Sequence, residues 1–157
     1  MESAPNGLQS FKRTQDYEAV RELAVRAGLD VTDKSVEGIV AAFGYYLDGR
    51  LMGSAALECE NGQLFLEWVA VDSSVRLRGV GTSLVALVED EARVRGVTEL
   101  WAKVRVPEFY RSIGFRVLGA KEKGPKTLVG CNGCSEFNRS CHPAIVVKNI
   151  RGKKGES

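Results

Sequence analysis

The chain has 157 residues, of which 22 are basic and 20 acidic, so its formal net charge is only +2. A charge this small creates no field that attracts nucleic acid or an anionic membrane, and we expect neither as a partner. The longest uncharged apolar stretch, residues 38–47, is too short to span a bilayer, and residues 1–13 contain no apolar segment of signal-peptide length. These features predict a cytoplasmic protein with one domain and a substantial core.

The first part of the chain predicts one strand and two helices. Residues 1–7 are expected to be a flexible N-terminus, and residues 8–12 to form a strand. Apolar residues then recur at helical spacing from Asp16 until Gly28. A second, short helical segment is predicted over residues 32–38.

Three strands joined by tight turns are predicted next. They cover residues 39–47, 51–58 and 64–71, with an Asp-Gly turn after the first and an Asn-Gly turn after the second. Both dipeptides are strong hairpin signals. An antiparallel meander is therefore expected in the middle of the chain.

The remaining sequence alternates between helices and strands. We expect a helix over residues 79–95, a strand over 98–104, a short helix over 107–113, a strand over 115–118 and a last strand over 144–149. The charged side chains of the long helix, Glu89 among them, are predicted to lie largely opposite its apolar face. Residues 151–157 are expected to be a flexible tail.

The segment between the third meander strand and the long helix has the composition of an anion site. Gly79 and Gly81 lie where the helix begins, and Arg76 and Arg78 precede them. A helix N-terminus offers unpaired N–H groups and the positive end of the helix dipole, and glycine lets the backbone approach a bulky anion. The segment therefore predicts a cradle for pyrophosphate.

Two common phosphate-binding motifs are absent from this segment. The dinucleotide fingerprint requires a third glycine where the chain has Leu84, and a Walker A loop requires Lys-Ser/Thr after the second glycine. A near match to the latter over residues 119–127 is interrupted by Pro125.

The pattern Arg76-x-x-Gly79-x-Gly81 after a hydrophobic strand resembles the signature of the GNAT acetyltransferases, in which it opens the acetyl-CoA-binding helix. Residues 107–115 resemble the second landmark of the family, an aromatic pair followed by Gly-Phe. The order of elements is similar over residues 8–150. The resemblance implies a single GNAT domain there, an α/β (α+β) acyl-CoA N-acyltransferase fold with a mixed sheet of six to seven strands and about four helices.

The resemblance also implies that acetyl-CoA is the cosubstrate. In the family the fourth and fifth strands separate to admit the pantetheine arm, and strand N–H groups stabilise the thioester oxyanion. The residues implied in binding are Val69, Ala70, Val71, Arg76, Leu77, Arg78, Gly79, Val80, Gly81 and Thr82.

Tyr110 occupies the position where many family members carry the tyrosine that protonates the departing CoA thiolate. A phenol with a pKa of about 10 keeps its proton at neutral pH and can donate it to a thiolate. The alternative is that Tyr110 packs against neighbouring aromatic rings. Both roles remain open from the residues alone.

Glu67 is the only carboxylate in the predicted strand over residues 64–71. Strict alternation places it on the same face as Phe65, Val69 and Val71. There it could accept the proton of the attacking amine or hold a cationic substrate group. Some family members carry a glutamate on this strand, but commonly two positions earlier, where this chain has Phe65. The role of Glu67 is therefore inferred from the strand face, and a solvated glutamate is the alternative.

A cysteine cluster lies near the C-terminus. Cys131, Cys134, Cys141 and His142 are soft ligands suited to zinc, and Cys59 could complete such a set. Their spacing matches no named zinc-binding pattern, and reduced or redox-paired thiols are the alternative. The segment, residues 131–142, resembles the ending of GNAT proteins similar to N-acetylglutamate synthase.

That subset often carries an arginine where this chain has Glu67, which suits a substrate carboxylate. The opposite charge here favours a cationic or amine-rich acceptor over glutamate. We expect acetyl transfer from acetyl-CoA to a primary amine of a small molecule or amino acid, by direct attack in a ternary complex. The alternatives are a protein or peptide N-acetyltransferase, a non-catalytic acetyl-CoA sensor, and a zinc-stabilised nucleic-acid module. Homodimers are common in the family, so the resemblance also implies a homodimer.

Overall fold

This computed structural model describes residues 8–29, 35–119 and 144–151. Within these ranges there are seven strands, three α-helices and one 3₁₀ helix. Their order is β1 (Gln9–Thr14), α1 (Tyr17–Arg26), β2 (Ile39–Leu47), β3 (Arg50–Glu60), β4 (Gln63–Val71), the 3₁₀ helix (Ser73–Arg78), α2 (Val80–Val94), β5 (Glu99–Val104), α3 (Glu108–Ser112), β6 (Arg116–Val117) and β7 (Ala144–Asn149).

The strands form one mixed sheet in the order β1-β2-β3-β4-β5-β7-β6. β2 is antiparallel to both β1 and β3, whereas β4 runs parallel to β5, with Phe65 opposite Trp101. β7 is antiparallel to β5 and β6. The predicted mixed sheet of six to seven strands is confirmed.

Two compact units make up the chain. The first consists of Met1–Glu58 and Leu66–Glu91, and the second of Cys59–Phe65 and Ala92–Ser157. The single domain over residues 8–150 stays a prediction. Of the predicted flexible ends, residues 1–7 and 151–157, only Arg151 lies within the described ranges, where it is an exposed turn residue.

The meander turns have the backbone that their sequences predict. Asp48 and Gly49 have φ values of 52° and 81°, and Asn61 and Gly62 have values of 54° and 80°. Two successive positive φ values characterise the type I′ turn, whose twist matches that of the flanking strands. The turn residues therefore fix the hairpins locally.

In the first unit, α1 packs on the sheet through one apolar face. Its N-cap is Asp16, whose side chain accepts a hydrogen bond from the N–H of Ala19 at 3.1 Å. The core cluster on this side contains Val20, Leu23, Ala24, Ile39, Ala42, Ala56, Trp68 and Ala70. Residues 35–38, the described part of the second predicted helix, form a turn instead.

The start of α2 lies directly against β3. A Cβ atom on Gly53 would lie 2.9 Å from Cγ1 of Val80 and 3.1 Å from Cδ1 of Leu84, so only glycine allows this approach. Glu89 was predicted to lie largely opposite the apolar face of α2, but its side chain is buried, one helical turn after buried Val85. No helix in the described ranges is long and apolar enough to cross a membrane.

Candidate active site

Asp72 begins the segment that connects β4 with α2. Its Oδ1 accepts hydrogen bonds from the backbone N–H of Ser74 at 3.0 Å and from the Ser74 hydroxyl at 2.8 Å. The N–H of Asp72 donates to the carbonyl of Met52 in β3 at 2.8 Å. The end of β4 is thus fixed to β3, and the carboxylate caps the 3₁₀ helix that follows.

Gly79 ends the 3₁₀ helix in the left-handed conformation, with a φ of 75°. α2 starts at the next residue, and its first internal bond runs from the N–H of Ser83 to the carbonyl of Gly79 at 3.1 Å. The N–H groups of Val80, Gly81 and Thr82 are consequently outside the helical ladder. Apart from its two chain neighbours, no atom of the described side chains and backbone lies within 4 Å of where a Cβ on Gly79 would be, which leaves open space beside the helix start.

Arg76, in the 3₁₀ helix, hydrogen-bonds back to the end of β4. Its Nη2 donates to the carbonyl of Val71, the last residue of β4, at 2.9 Å. The side chain is exposed, and this bond uses one of the five N–H donors that a guanidinium carries. The side chains of Leu77 and Arg78 lie outside the described part of the chain.

A second arginine reaches the cap from α1. Nε of Arg26 lies 3.5 Å from Oδ2 of Asp72, and its Nη2 donates to the carbonyl of Leu51 at 3.2 Å. The backbone and side-chain hydrogen bonds from Ser74 are the main causes that hold the pKa of Asp72 below its ordinary value, against an opposing effect of burial. The hydrogen bond and charge of Arg26 lower this pKa further, each by less than burial raises it. Asp72 is therefore an anionic cap over the working pH range.

β4 departs from regular strand geometry at Trp68, whose φ is 60°. Its carbonyl accepts a hydrogen bond from the hydroxyl of Ser54 at 2.8 Å, and its indole Nε1 donates to Oε1 of Glu58 at 2.8 Å. Glu67 and Val69 are both half-buried. Because the alternation is interrupted between them, the shared face assigned to Glu67, Val69 and Val71 stays a prediction.

Tyr110 lies in α3 of the second unit and is half-buried. Its ring meets those of Phe109 and Phe115 edge to face, with centroids 5.0 and 5.8 Å away. Its carbonyl accepts the N–H of Phe115 at 2.9 Å. These contacts fix the ring, as the packing role requires, and a fixed ring also suits a proton donor.

The predicted zinc ligands Cys131, Cys134, Cys141 and His142 lie outside the described residues. Cys59 is described, at the end of β3, and is a half-exposed free thiol. Across the described ranges no three metal-ligating side chains come together. The zinc site therefore stays a prediction.

Several residues of the site were not identified from the sequence. Asp72 followed by Ser74 is a local turn signal that could have revealed the cap. Arg26 lies 46 positions from Asp72, and Ser54 and Glu58 contact Trp68 across strands. Such pairs depend on register, which local patterns do not specify.

The chain matches the model of the acetyltransferase (GNAT) family over residues 10–115. This range includes the end of β4, the 3₁₀ helix, α2 and α3. No curated protein matches the chain.

Three solved structures show the extent of the structural similarity. N-acetylglutamate synthase from Neisseria gonorrhoeae, complexed with coenzyme A and N-acetyl-glutamate, is 19% identical with a TM-score of 0.72, and the match covers 95% of this chain but only 36% of that one. The ribosomal-protein-S18-alanine N-acetyltransferase from Escherichia coli is 19% identical with a TM-score of 0.64, over 91% of this chain and 94% of that one. Rv2747 from Mycobacterium tuberculosis, in complex with CoA and NLQ, is 17% identical with a TM-score of 0.67, over 90% and 98%. At these identities the matches show the fold alone.

Proposed function

We propose that this chain, which belongs to the acetyltransferase (GNAT) family, transfers an acetyl group from acetyl-CoA to the primary amine of a small molecule or amino acid. The amine attacks the thioester directly while both substrates are bound. The observation that carries the proposal is the capped 3₁₀ helix that ends at left-handed Gly79 and opens α2. This arrangement suits the pyrophosphate of acetyl-CoA, the donor used by the family.

The cosubstrate is proposed to bind along one continuous segment. The N–H groups of Val80, Gly81 and Thr82 and the charge of Arg76 would hold the pyrophosphate. Backbone groups of Val69, Ala70 and Val71 would contact the pantetheine arm and the thioester. Leu77 and Arg78 complete the proposed set through the backbone of the 3₁₀ helix.

Glu67 is proposed to act on the acceptor. A half-buried carboxylate in β4 can take a proton from an ammonium group, directly or through water, and can hold a second cationic group of the acceptor. Its negative charge opposes the binding of a substrate carboxylate. We therefore propose a cationic or amine-rich acceptor rather than glutamate.

Tyr110 is proposed to protonate the CoA thiolate as it leaves. The edge-to-face contacts with Phe109 and Phe115 hold the phenol in one orientation, which favours proton donation to a fixed point. Because a phenol is protonated at neutral pH, it is ready to act without any prior proton transfer.

The acceptor class is tested by competition. Wild-type protein is incubated with acetyl-CoA and an equimolar mixture of amino acids, diamines, aminoglycosides and short peptides, and the acetylated products are identified by mass. We expect acetylated small amines, and Glu67→Gln should lower kcat/KM for the amine while acetyl-CoA affinity is retained. Acetylation of peptides alone would contradict the small-molecule assignment, and full activity of Glu67→Gln would remove its role.

A peptide N-acetyltransferase is the second candidate. It is favoured by the similarity to the Escherichia coli ribosomal-protein-S18-alanine N-acetyltransferase, of which 94% is covered by the match. By contrast, this chain spans about a third of the N-acetylglutamate synthase from Neisseria gonorrhoeae. The same competition experiment separates the two candidates.

A further inference from the structure

The middle of β4 contains a bulky residue in a conformation that normally belongs to glycine. Trp68 has a φ of 60° and is 1% exposed. A left-handed residue costs backbone free energy unless its surroundings compensate, and within a strand it interrupts the ladder and redirects backbone groups. The contacts that hold Trp68 therefore determine where those groups point.

Two polar side chains of β3 hold Trp68 at opposite ends. The hydroxyl of Ser54 donates to its carbonyl oxygen, and Oε1 of Glu58 accepts from its indole Nε1, both at 2.8 Å. Ser54 is fully buried, and Glu58 is 5% exposed. Buried polar groups are costly without partners, so the bond to Glu58 disfavours other rotamers of the indole, and the bond from Ser54 disfavours rotation of the peptide that follows Trp68.

The bond from Ser54 has a direct consequence for the next residue. The carbonyl of Trp68 and the N–H of Val69 belong to the same planar trans peptide, in which the two bonds point in opposite directions. Fixing the carbonyl toward Ser54 in β3 thus fixes the N–H of Val69 to point away from it.

We propose that Ser54 and Glu58 are positioning residues, which hold the peptide between Trp68 and Val69 so that the Val69 N–H is aimed at the thioester carbonyl of acetyl-CoA. The proposal rests on the acetyl-transfer function given above. The N–H donates to the carbonyl oxygen as negative charge develops there during attack by the amine. Neither Ser54 nor Glu58 contacts the reacting atoms.

The expected signature is a loss in kcat without a loss in cosubstrate binding. We expect the start of α2 to supply most of the affinity for CoA, and neither hydrogen bond to Trp68 involves α2. A misaimed oxyanion donor, by contrast, costs on the order of 10- to 100-fold in turnover. Ser54→Ala and Glu58→Leu should therefore lower kcat by that factor. Their dissociation constants for free CoA should stay within about threefold of wild type.

The experiment measures kcat, KM, CoA affinity by calorimetry and thermal unfolding for wild type, Ser54→Ala, Glu58→Leu, Glu58→Gln and Leu57→Val. Glu58→Gln keeps an acceptor oxygen for the indole and should restore most of kcat. Leu57→Val removes a buried methylene from the same strand without touching either hydrogen bond, so it reports the effect of lower stability alone.

Three outcomes would overturn the proposal, and they differ from one another. If Ser54→Ala and Glu58→Leu have the same kcat as wild type, the two hydrogen bonds to Trp68 do not position the donor. Equal loss of kcat in Leu57→Val, or parallel loss of CoA affinity in all variants, would show a purely structural role. Wild-type protein that binds acetyl-CoA but acetylates no amine would instead overturn the proposed function, and the positioning role with it.

Discussion

Nε of Arg26 lies 3.5 Å from Oδ2 of Asp72, so the last residue of α1 contacts the residue that caps the 3₁₀ helix of the cradle. Arg26 also donates to the carbonyl of Leu51 at 3.2 Å. Both side chains are partly exposed, so the ion pair itself adds little stability. Its effect is geometric, because it links α1, β3 and the segment that leads to α2.

Replacing Asp72 should loosen this segment. Asp72→Ala removes the acceptor for both Ser74 bonds, and the loss of a helix cap typically costs about 1 kcal/mol. We expect lower thermal stability and a several-fold higher dissociation constant for acetyl-CoA, measured by calorimetry. Asp72→Asn keeps an acceptor oxygen and is the matched control. If Ala and Asn variants bind acetyl-CoA as wild type does, the cap does not shape the cradle.

The acid sensitivity of folding should depend on the same carboxylate. Because the pKa of Asp72 is lowered in the folded protein, its contribution to stability is complete above the ordinary aspartate pKa of about 3.9 and disappears as the pH falls through the folded value. The free energy of urea unfolding should therefore fall below about pH 4 more steeply in wild type than in Asp72→Asn. Parallel pH profiles for the two proteins would contradict this.

Gly79→Ala tests the left-handed residue before α2. Within the described part of the chain no atom beyond the two neighbouring residues crowds this position, so we expect the cost to come from the backbone, about 1–2 kcal/mol for a residue with a Cβ. The start of α2 should shift and acetyl-CoA affinity should fall. Gly79→Asn should be milder, since asparagine tolerates this conformation. Equal affinity of the Ala variant and wild type would show that the φ of 75° is not needed for binding.

Gly53→Ala tests the contact between β3 and α2. The added methyl would overlap Cγ1 of Val80, and overpacking of this kind costs about 1–3 kcal/mol. Thermal unfolding should shift down, and adding Val80→Ala should recover part of the loss. If the double variant loses more stability than the sum of the losses in the two single variants, a steric origin is ruled out.

Tyr110→Phe isolates the phenolic proton. Both ring contacts of Tyr110 are retained, so we expect acetyl-CoA affinity to be unchanged while kcat falls about 100-fold, as for the loss of a general acid. Steady-state kinetics provide the measurement. A wild-type kcat would leave Tyr110 with its packing role only.

Much of the fold follows from local sequence signals. The Asp-Gly and Asn-Gly turns adopt the positive φ values that they predict, and β7 covers the predicted residues 144–149. The helix from Gly79 begins at Val80, directly after the glycine, as expected from its composition. These elements are determined by residues close together in the chain, and local patterns therefore identify them.

The errors and omissions concern long-range packing. Trp68 fits a regular strand by its residue type, but it has a left-handed backbone and hydrogen-bonds to Ser54 and Glu58 in the neighbouring strand. Glu89 was predicted to lie largely opposite the apolar face of α2, and its side chain is buried. Strand register and the width of a buried helix face are set by packing of the whole core. A short stretch of sequence does not determine either of them.

The most direct test of the whole account is acetyl-CoA-dependent release of free CoA thiol by the wild-type protein, with and without a panel of amines. A blank without acceptor corrects for the thiols of the protein itself. We predict release that saturates with both acetyl-CoA and one class of primary amine, at a rate far above the blank. Binding of acetyl-CoA with no acceptor-dependent release would contradict the account and indicate a sensor of acetyl-CoA.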